Sequence, residues 1–360
     1  MIRILFENSI FLHQSVGGIS KYITKLNDNL YKQNINSKIY APLTINHYLR
    51  KKRKSNIFFI KFDKIPKFCR KIFFCTNNIL FIFYIKFFKP DLVHFTYYNN
   101  SILKFINTPF VLTVYDLIHE KLNLRQKNFH KKNLINNAKH IICISNQTKR
   151  DLLRYYKVDK KKVSVIYLGT DVKKTNSKEK RKKFILHVGD RGRYKNFKNF
   201  IYAFSLSRYL KENYKIVCFG GSSQTFSEKK LFKKLNIENM IEFINGDDSK
   251  LESYYKKASL FVSLSLYEGF GLTLLEAIKY KCPVICSDIP VFREVYGGAY
   301  MYTQPSNIYK IKIDIEKFLK SNLRNNQYTS IRKKILNKYT WKNCAIETAK
   351  IYHRLINEKK

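Results

Sequence analysis

One stretch constrains the fold more than any other: residues 258–295, ASLFVSLSLYEGFGLTLLEAIKYKCPVICSDIPVFREV. An apolar, strand-like run at 260–266 leads to Glu268 and the tight sequence Gly269-Phe270-Gly271. A helical pattern carrying Glu276 follows, then a second buried strand at 284–286. Without side chains at Gly269 and Gly271, backbone can approach a bound group closely, and the amides that open the next helix can face an anion. Glu268 and Glu276 stand eight positions apart. The expectation is that Glu268 sits at the mouth of the turn and Glu276 about two helical turns in. Both would face the crevice at the carboxyl end of a strand, where open α/β sheets hold ligands. That arrangement suits a nucleotide-linked ligand, with amides for phosphate and acceptor oxygens for sugar hydroxyls.

The same alternation of strand and helix runs through the whole chain. A strand from Ile2 leads into the loop 13–18 and a helical pattern at 19–33, with Ile23, Leu26 and Leu30 at three- and four-residue spacing. Further strands are expected at 37–42, 92–95, 110–115, 141–144 and 163–167, with helices at 133–139 and 147–156 between the last three and Ser145 as an N-cap. Residues 169–183, GTDVKKTNSKEKRKK, lose almost all apolar content and read as a linker. Alternation then restarts at 184–188 and continues through a helix at 199–210, a strand at 216–219, a helix at 228–235 and a strand at 241–244. The sequence therefore divides into domains 1–168 and 184–340, each an α/β fold with a parallel sheet wound on both faces. The closing segment, 341–360, carries one amphipathic helix at 341–357, with Trp341, Ala345 and Ala349 among the residues available for burial.

At 360 residues the chain is long enough for two such cores, and 45% hydrophobic content agrees with folding. Its 69 Lys+Arg against 26 Asp+Glu give a net charge of +43. Two readings of that charge stay open. One is a polyanionic partner such as nucleic acid, anionic lipid or a phosphorylated substrate; the other is a coding bias that also enriches Asn, Ile, Phe and Tyr. A nucleic-acid-binding protein is the rival class, but no nucleic-acid motif is present, so nucleic acid is not an expected partner. The seven cysteines are odd in number and lack a CxxC pair, which points to reduced thiols in a reducing compartment. The basic, aromatic segment 47–71, with KKRK at 51–54, reads as loops and short helices. Thr76, Asn77, Asn78 and Lys86 interrupt the apolar run 72–88 before it reaches the ~20 residues a membrane span needs. The expectation for 47–88 is therefore no crossing, with surface docking and an ordinary charged-rim core as the two open readings.

Three further constellations bear on chemistry. Gly17-Gly18 lies between the first strand and the first helix, where a phosphate or sugar could approach the backbone, although such a pair is also an ordinary turn. GDRGRYKN follows the strand at 184–188 and sets Arg191, Arg193 and Lys195 at its carboxyl end. Cations there are placed to grip a diphosphate, or form a solvated basic loop. TVYDLIHE brings Asp116, His119 and Glu120 together past a buried strand, as candidates for positioning an acceptor hydroxyl, with Asp116 equally able to be a structural cap. GxSxG, GxxxxGK[ST] and Asp-x-Asp patterns are missing, so charge on a leaving group would fall to Arg191, Lys195 and helix amides.

Taken in order, SVGGISKYI, KPDLVH, LTVYDLIHE, ISNQTKRDL, VSVIYLGTD, VGDRGRYKNF, YEGFGLTLLEA, PVICSDIPVFREV and YTWKNCAIETAKIY resemble the retaining family-four glycosyltransferases of the GT-B fold. The resemblance implies two Rossmann-like domains facing across a cleft, with the last helix crossing back to the first. It further implies that Glu268 contacts hydroxyls of the transferred sugar and Glu276 the nucleotide ribose. Gly269, Phe270, Gly271, Leu272 and Thr273 would then offer backbone to sugar and phosphate, and Arg191 and Lys195 would hold the diphosphate, which Gly17 and Gly18 approach from the other domain. Tyr115 stands where many members have histidine, so His119 is a candidate substitute, and Thr273 stands where proline is frequent. By the same resemblance there is no metal and no cofactor beyond the donor, GDP-mannose or a UDP-hexose. The reaction would be a front-face hexosyl transfer to a glycan or lipid-linked acceptor in surface polysaccharide or lipopolysaccharide assembly. A cytoplasmic location, peripheral on the inner membrane face, goes with it. A relative that isomerises or hydrolyses a nucleotide sugar is the alternative.

Overall fold

The computed structural model describes residues 1–50, 59–122, 129–171, 179–321 and 329–358. The KKRK run at 51–54 and residues 172–178 of the polar 169–183 segment lie outside the described residues. The chain forms two compact units, Met1–Gly169 together with Tyr339–Lys360, and Thr170–Lys338.

In the first unit the strands are β1 (Ile2–Phe6), β2 (Ile35–Ile39), a short pair β3 (Leu43–Thr44) and β4 (Ile60–Lys61), then β5 (Leu92–Phe95), β6 (Phe110–Val114), β7 (His140–Cys143) and β8 (Val163–Val165). Six of them make a parallel sheet in the order β2-β1-β5-β6-β7-β8. Every residue of β5, β6 and β7 is buried, which is why these strands read as near-continuous apolar runs and not as alternating ones. Ser145 caps the helix Asn146–Tyr155, its hydroxyl accepting from the Thr148 amide at 3.0 Å. The terminal helix, Trp341–Asn357, packs within this unit: Trp341 stacks on Tyr22, and the Lys139 ammonium donates to the Leu355 carbonyl at 2.8 Å.

The second unit contains β9 (Lys182–Val188), β10 (Lys215–Phe219), β11 (Ile241–Ile244), β12 (Ala258–Ser263), β13 (Val284–Ser287) and β14 (Met301–Thr303). They form a parallel sheet in the order β11-β10-β9-β12-β13-β14, the doubly wound order that reverses direction between β9 and β12. Its core packs Phe197, Phe200 and Phe204 of one helix and Ile311 and Ile315 of another against Ile185, Leu260 and Ile285 of the sheet. The single helix expected at 199–210 is two, Phe197–Ser205 and Arg208–Asn213. Ser207 restarts the second by accepting from the Leu210 amide at 3.0 Å.

The segment read as interrupted, 72–88, is one helix of 19 residues, Arg70–Phe88. By length and composition it could cross a membrane, and it is the only such helix among the described residues. Of the four polar residues that interrupt the apolar run, Asn77 and Asn78 lie on its buried side and Lys86 is exposed.

Candidate active site

The sheet order fixes where a ligand can bind in the second unit. Open α/β sheets bind ligands at the carboxyl ends of the strands where the order reverses, here between β9 and β12. The loop after β9 brings Gly189 to Lys195, and the loop after β12 brings Glu268 to Gly271. They meet: the Lys195 ammonium sits 2.6 Å from Glu268 Oε1, which also accepts from the Ser265 hydroxyl at 2.8 Å. Both side chains keep some exposure, 21% for Lys195 and 15% for Glu268. A backbone bond from the Leu266 amide to the Tyr194 carbonyl, 2.7 Å, ties the two loops beside the pair.

The turn between Glu268 and the next helix depends on Gly271. Its φ is +85°, and a Cβ there would lie 2.6 Å from Cε1 of Phe292, so both conformation and space demand glycine. The helix begins at Leu272 and ends at Lys279. Three tyrosine hydroxyls hold its first turn by donating to backbone carbonyls: Tyr296 to Gly271 at 2.7 Å, Tyr255 to Thr273 at 3.1 Å, and Tyr300 to Leu274. Phe270 is buried. Glu276, only 9% exposed, is the fifth residue of the helix, about one turn in and not two, and Tyr255 donates to its Oε2 at 3.4 Å. Burial first, and the nearby Glu276 carboxylate next, push the Tyr255 phenol well above its usual range, so it stays a donor.

Arg191 departs from the expectation of a cation free to grip a ligand. Its side chain is 3% exposed and its Nε donates to Glu228 Oε1 at 2.7 Å. Nη2 donates to the Ser222 and Ser223 carbonyls at 2.8 and 3.2 Å, and the guanidinium lies over the Phe243 ring at 4.7 Å. Nη1 is buried without a hydrogen-bond partner. Burial acts to raise the Glu228 pKa, but the Arg191 guanidinium and the Thr225 donors outweigh it and hold the carboxyl below its ordinary value. Arg191 thus ties the loop after β9 to the loop after β10.

Within the first unit the corresponding reversal lies between β1 and β5. Glu7, just past β1, is fully buried there. It accepts from the Ser9 amide and hydroxyl at 2.7 and 2.8 Å, from Thr96 at 3.0 Å and from Asn99 at 2.9 Å. Burial nevertheless raises its pKa against the pull of those donors. The helix Gly18–Leu30 opens with Gly17 in extended backbone, where a Cβ would lie 2.3 Å from Gln14 Oε1. That oxygen accepts from the Ser20 amide at 3.2 Å, so at Gly17 the close approach that excludes a side chain is made by Gln14. Gly18 is exposed.

After β6, Asp116 Oδ1 accepts from the Ile118 amide at 3.2 Å, and the Asp116 carbonyl accepts from Lys131 at 2.8 Å. Lys131 also pairs with Glu120 at 3.1 Å, and Tyr156 donates to Glu120 at 2.5 Å. His119 carries a buried Nδ1 with no hydrogen-bond partner. Tyr115 is buried and donates to the Thr96 carbonyl at 2.9 Å, a packing role in this chain.

The structure therefore joins Lys195 to Glu268 across 73 residues and sets Gly271 to Glu276 beside them, while Arg191 belongs to a clasp of its own. Sequence reasoning missed Ser265, Glu228 and Glu7. Only the Gly220-Gly221 pair ending β10 hints at the Arg191 clasp, through the close packing of the loops after β9 and β10.

Two family models match, one on each unit: Glycosyl transferases group 1 over residues 170–335 and Glycosyltransferase Family 4 over residues 16–174. Two doubly wound parallel sheets in sequence define a GT-B fold, and the chain belongs to the group 1 glycosyltransferases. The O-antigen chain mannosyltransferase RfbU of Salmonella typhimurium is 30% identical over 182 residues, 50% of each chain. The chain spans about half the length of RfbU and less than two thirds of the length of the other curated relatives it matches. Sucrose-phosphate synthase of Thermosynechococcus elongatus superposes with a TM-score of 0.76 at 18% identity, covering 99% of this chain and 100% of that one. HepE of Anabaena, solved with UDP-glucose, gives 0.77 at 13% identity, covering 98% and 100%. At such identities the structural likeness speaks for the fold.

Proposed function

We propose that the protein transfers a hexose, mannose first among the candidates, from a nucleoside-diphosphate sugar to a glycan or lipid-linked acceptor in surface polysaccharide or lipopolysaccharide assembly. The anomeric configuration is retained and no metal takes part. The observation that carries this reading is the Lys195–Glu268 pair at the β9–β12 reversal, beside the glycine turn that opens the Leu272–Lys279 helix. The mannose choice leans on the name of the RfbU relative; the UDP-glucose in the HepE structure keeps a UDP-hexose as the next donor to try.

In this reading the donor's diphosphate takes Lys195 from Glu268, so a cation and the first-turn amides meet the charge that grows on the departing phosphate. Glu268, released, accepts from sugar hydroxyls, and Glu276 accepts from the ribose. The bond from the anomeric carbon to phosphate oxygen breaks, the bond to the acceptor oxygen forms on the same face, and the acceptor proton passes to the phosphate. Asp116 and His119 belong to the acceptor side, His119 through its unpartnered Nδ1. Arg191 acts on the diphosphate by fixing the loop that carries Lys195. Gly17 and Gly18 remain a donor-side approach in this reading, with the Gln14 side chain packed against Gly17. A cytoplasmic location is part of the proposal, because charged nucleotide sugars do not cross a bilayer unaided, and all seven cysteines are free thiols.

Thermal denaturation with a panel of nucleotide sugars tests the donor, since a ligand that binds only the folded state raises its melting temperature. Stabilisation by GDP-mannose above all others is the expected result, and no stabilisation by any nucleotide sugar sinks the reading. Glu276→Ala should abolish donor binding in calorimetry without unfolding; undiminished affinity removes the ribose assignment. An inverted product by NMR, or activity lost in EDTA and restored by a divalent ion, overturns the retaining, metal-free part. Product released without acceptor would mark a hydrolase or isomerase instead.

A further inference from the structure

The Arg70–Phe88 helix has two faces of different chemistry. One is bolted to the first unit. Asn77 exchanges two bonds with the backbone of Leu43, at 2.8 and 2.9 Å, and Asn78 accepts from Asn99 at 2.9 Å. Phe81 and Phe88 are buried, and Tyr84 stacks on Tyr40 with ring centroids 4.0 Å apart. The opposite face carries Ile72, Cys75, Ile79, Phe83 and Phe87, which at about 100° per residue fall within a sector of about 120°. All five are exposed: Ile72 64%, Ile79 55%, Phe83 65% and Phe87 82%, with Cys75 an exposed free thiol. Phe68, in the turn before the helix, extends the row at 83% exposure. An apolar row this long, left in water, marks an interaction surface.

Its charge says which partner. Between Asp63 and Asp91 the sequence has no acidic residue, while Lys64, Lys67, Arg70, Lys71, Lys86 and Lys89 are all cationic. A second copy of this chain laid on the row would bring like charges together. An anionic lipid surface supplies apolar tails for the row and phosphates for the cations around it. The buried face decides between lying on the bilayer and crossing it. To span, the helix would have to leave the unit and carry Asn77 and Asn78 into hydrocarbon without their present partners. We propose that the Arg70–Phe88 helix is a membrane-docking surface that lies in the plane of an anionic bilayer, inserting Ile72, Ile79, Phe83 and Phe87 while its asparagine face stays on the protein. The inference stands on this helix and not on the donor reading.

Flotation of the full-length protein with phosphatidylcholine vesicles, with and without phosphatidylglycerol, tests it. Strong binding is expected only with phosphatidylglycerol, and Ile79→Glu/Phe83→Glu should weaken it at least tenfold at an unchanged melting temperature. Ile79→Ser/Phe83→Ser, which adds no charge, should weaken it in the same direction. A polarity-sensitive dye on Cys75, in a Cys69→Ser background, should shift to the blue on anionic vesicles. Absence of vesicle binding overturns the proposal. So does binding by both double variants that is undiminished from the wild type, which would assign it to charge alone, or a dimer that those variants dissolve. Resistance to alkaline carbonate extraction would mean spanning and overturns the in-plane geometry. Donor binding in calorimetry without vesicles should survive both double variants. Its loss in the wild type would sink the proposed function and leave this inference untouched.

Discussion

Lys195 and Arg191 are four residues apart in one loop and do different things, and the difference lies in their partners. Lys195 keeps 21% of its side chain in solvent and faces one carboxylate, whereas Arg191 is nearly enclosed against Glu228. Removing one member of so buried a pair leaves the other uncompensated, so Glu228→Gln should cost about 3 kcal/mol in urea unfolding at neutral pH. The sign with pH follows from the depressed Glu228 pKa: its contribution is present above the ordinary glutamate value and lost as pH falls through the folded one. The variant's stability should therefore decline less than the wild type's as pH drops below about 5; parallel declines would show that the pair is not what titrates. Gly271→Ala faces both a positive φ and the Phe292 ring, and should cost about 2–4 kcal/mol and lower donor affinity at least tenfold. Unchanged calorimetry would detach the turn from donor binding. At this scale the sequence showed Glu268, Glu276, Lys195 and the glycine turn, because they sit in short local patterns. Glu228 and Glu7 were invisible: one reaches its partner across 37 residues, and the other reads only as the polar end of a strand.

Among the elements, legibility followed how much of the signal was local. The strand Ile241–Ile244 and the helix Trp341–Asn357 were readable to the residue, the helix because Trp341 opens an amphipathic pattern that Thr340 caps. The Arg70–Phe88 helix was misread because the asparagines that break its apolar run have partners only in three dimensions, on Leu43 and Asn99. Tertiary contacts also join β5 to the terminal helix: His94 lies between Tyr352 and Thr113, at 2.5 and 2.7 Å, stacked on Phe6. Burial pushes the His94 pKa down to about 3, against an ordinary value near 6.5. Unfolded chain thus takes up a proton that the folded protein refuses, so stability is complete above about pH 6.5 and falls as pH drops toward 3. At pH 5 the loss from this one group is about 2 kcal/mol. His94→Gln, which keeps a donor and an acceptor, should be less stable at pH 7.5 yet flatter between pH 6.5 and 5. Guanidinium unfolding at three pH values reads this out, and an equally steep acid limb in the variant would move the effect to other buried histidines.

At the scale of the whole molecule, the chain leaves the first unit after Gly169 and re-enters it at Tyr339. The two passages touch where no side chain fits. A Cβ on Gly169 would lie 2.2 Å from the Thr340 carbonyl carbon and 2.3 Å from the Trp341 nitrogen, both backbone atoms that cannot rotate aside. Thr340 is the N-cap of the terminal helix, its hydroxyl accepting from the Asn343 amide at 3.0 Å, so any shift there is passed to the helix that completes the first unit. Gly169→Ala must therefore part the two passages, and overpacking of this severity costs about 3 kcal/mol. The chain has a single tryptophan, and it is Trp341, 3% exposed and stacked on Tyr22. Its emission reports this junction alone. In Gly169→Ala the emission should move to the red and its denaturation midpoint should fall, while stabilisation by a nucleotide sugar, which reads the Thr170–Lys338 unit, should persist. Native emission with an unchanged midpoint would mean that the two passages can separate without loosening the terminal helix, and that Gly169 is not what holds the end of the chain to the first unit.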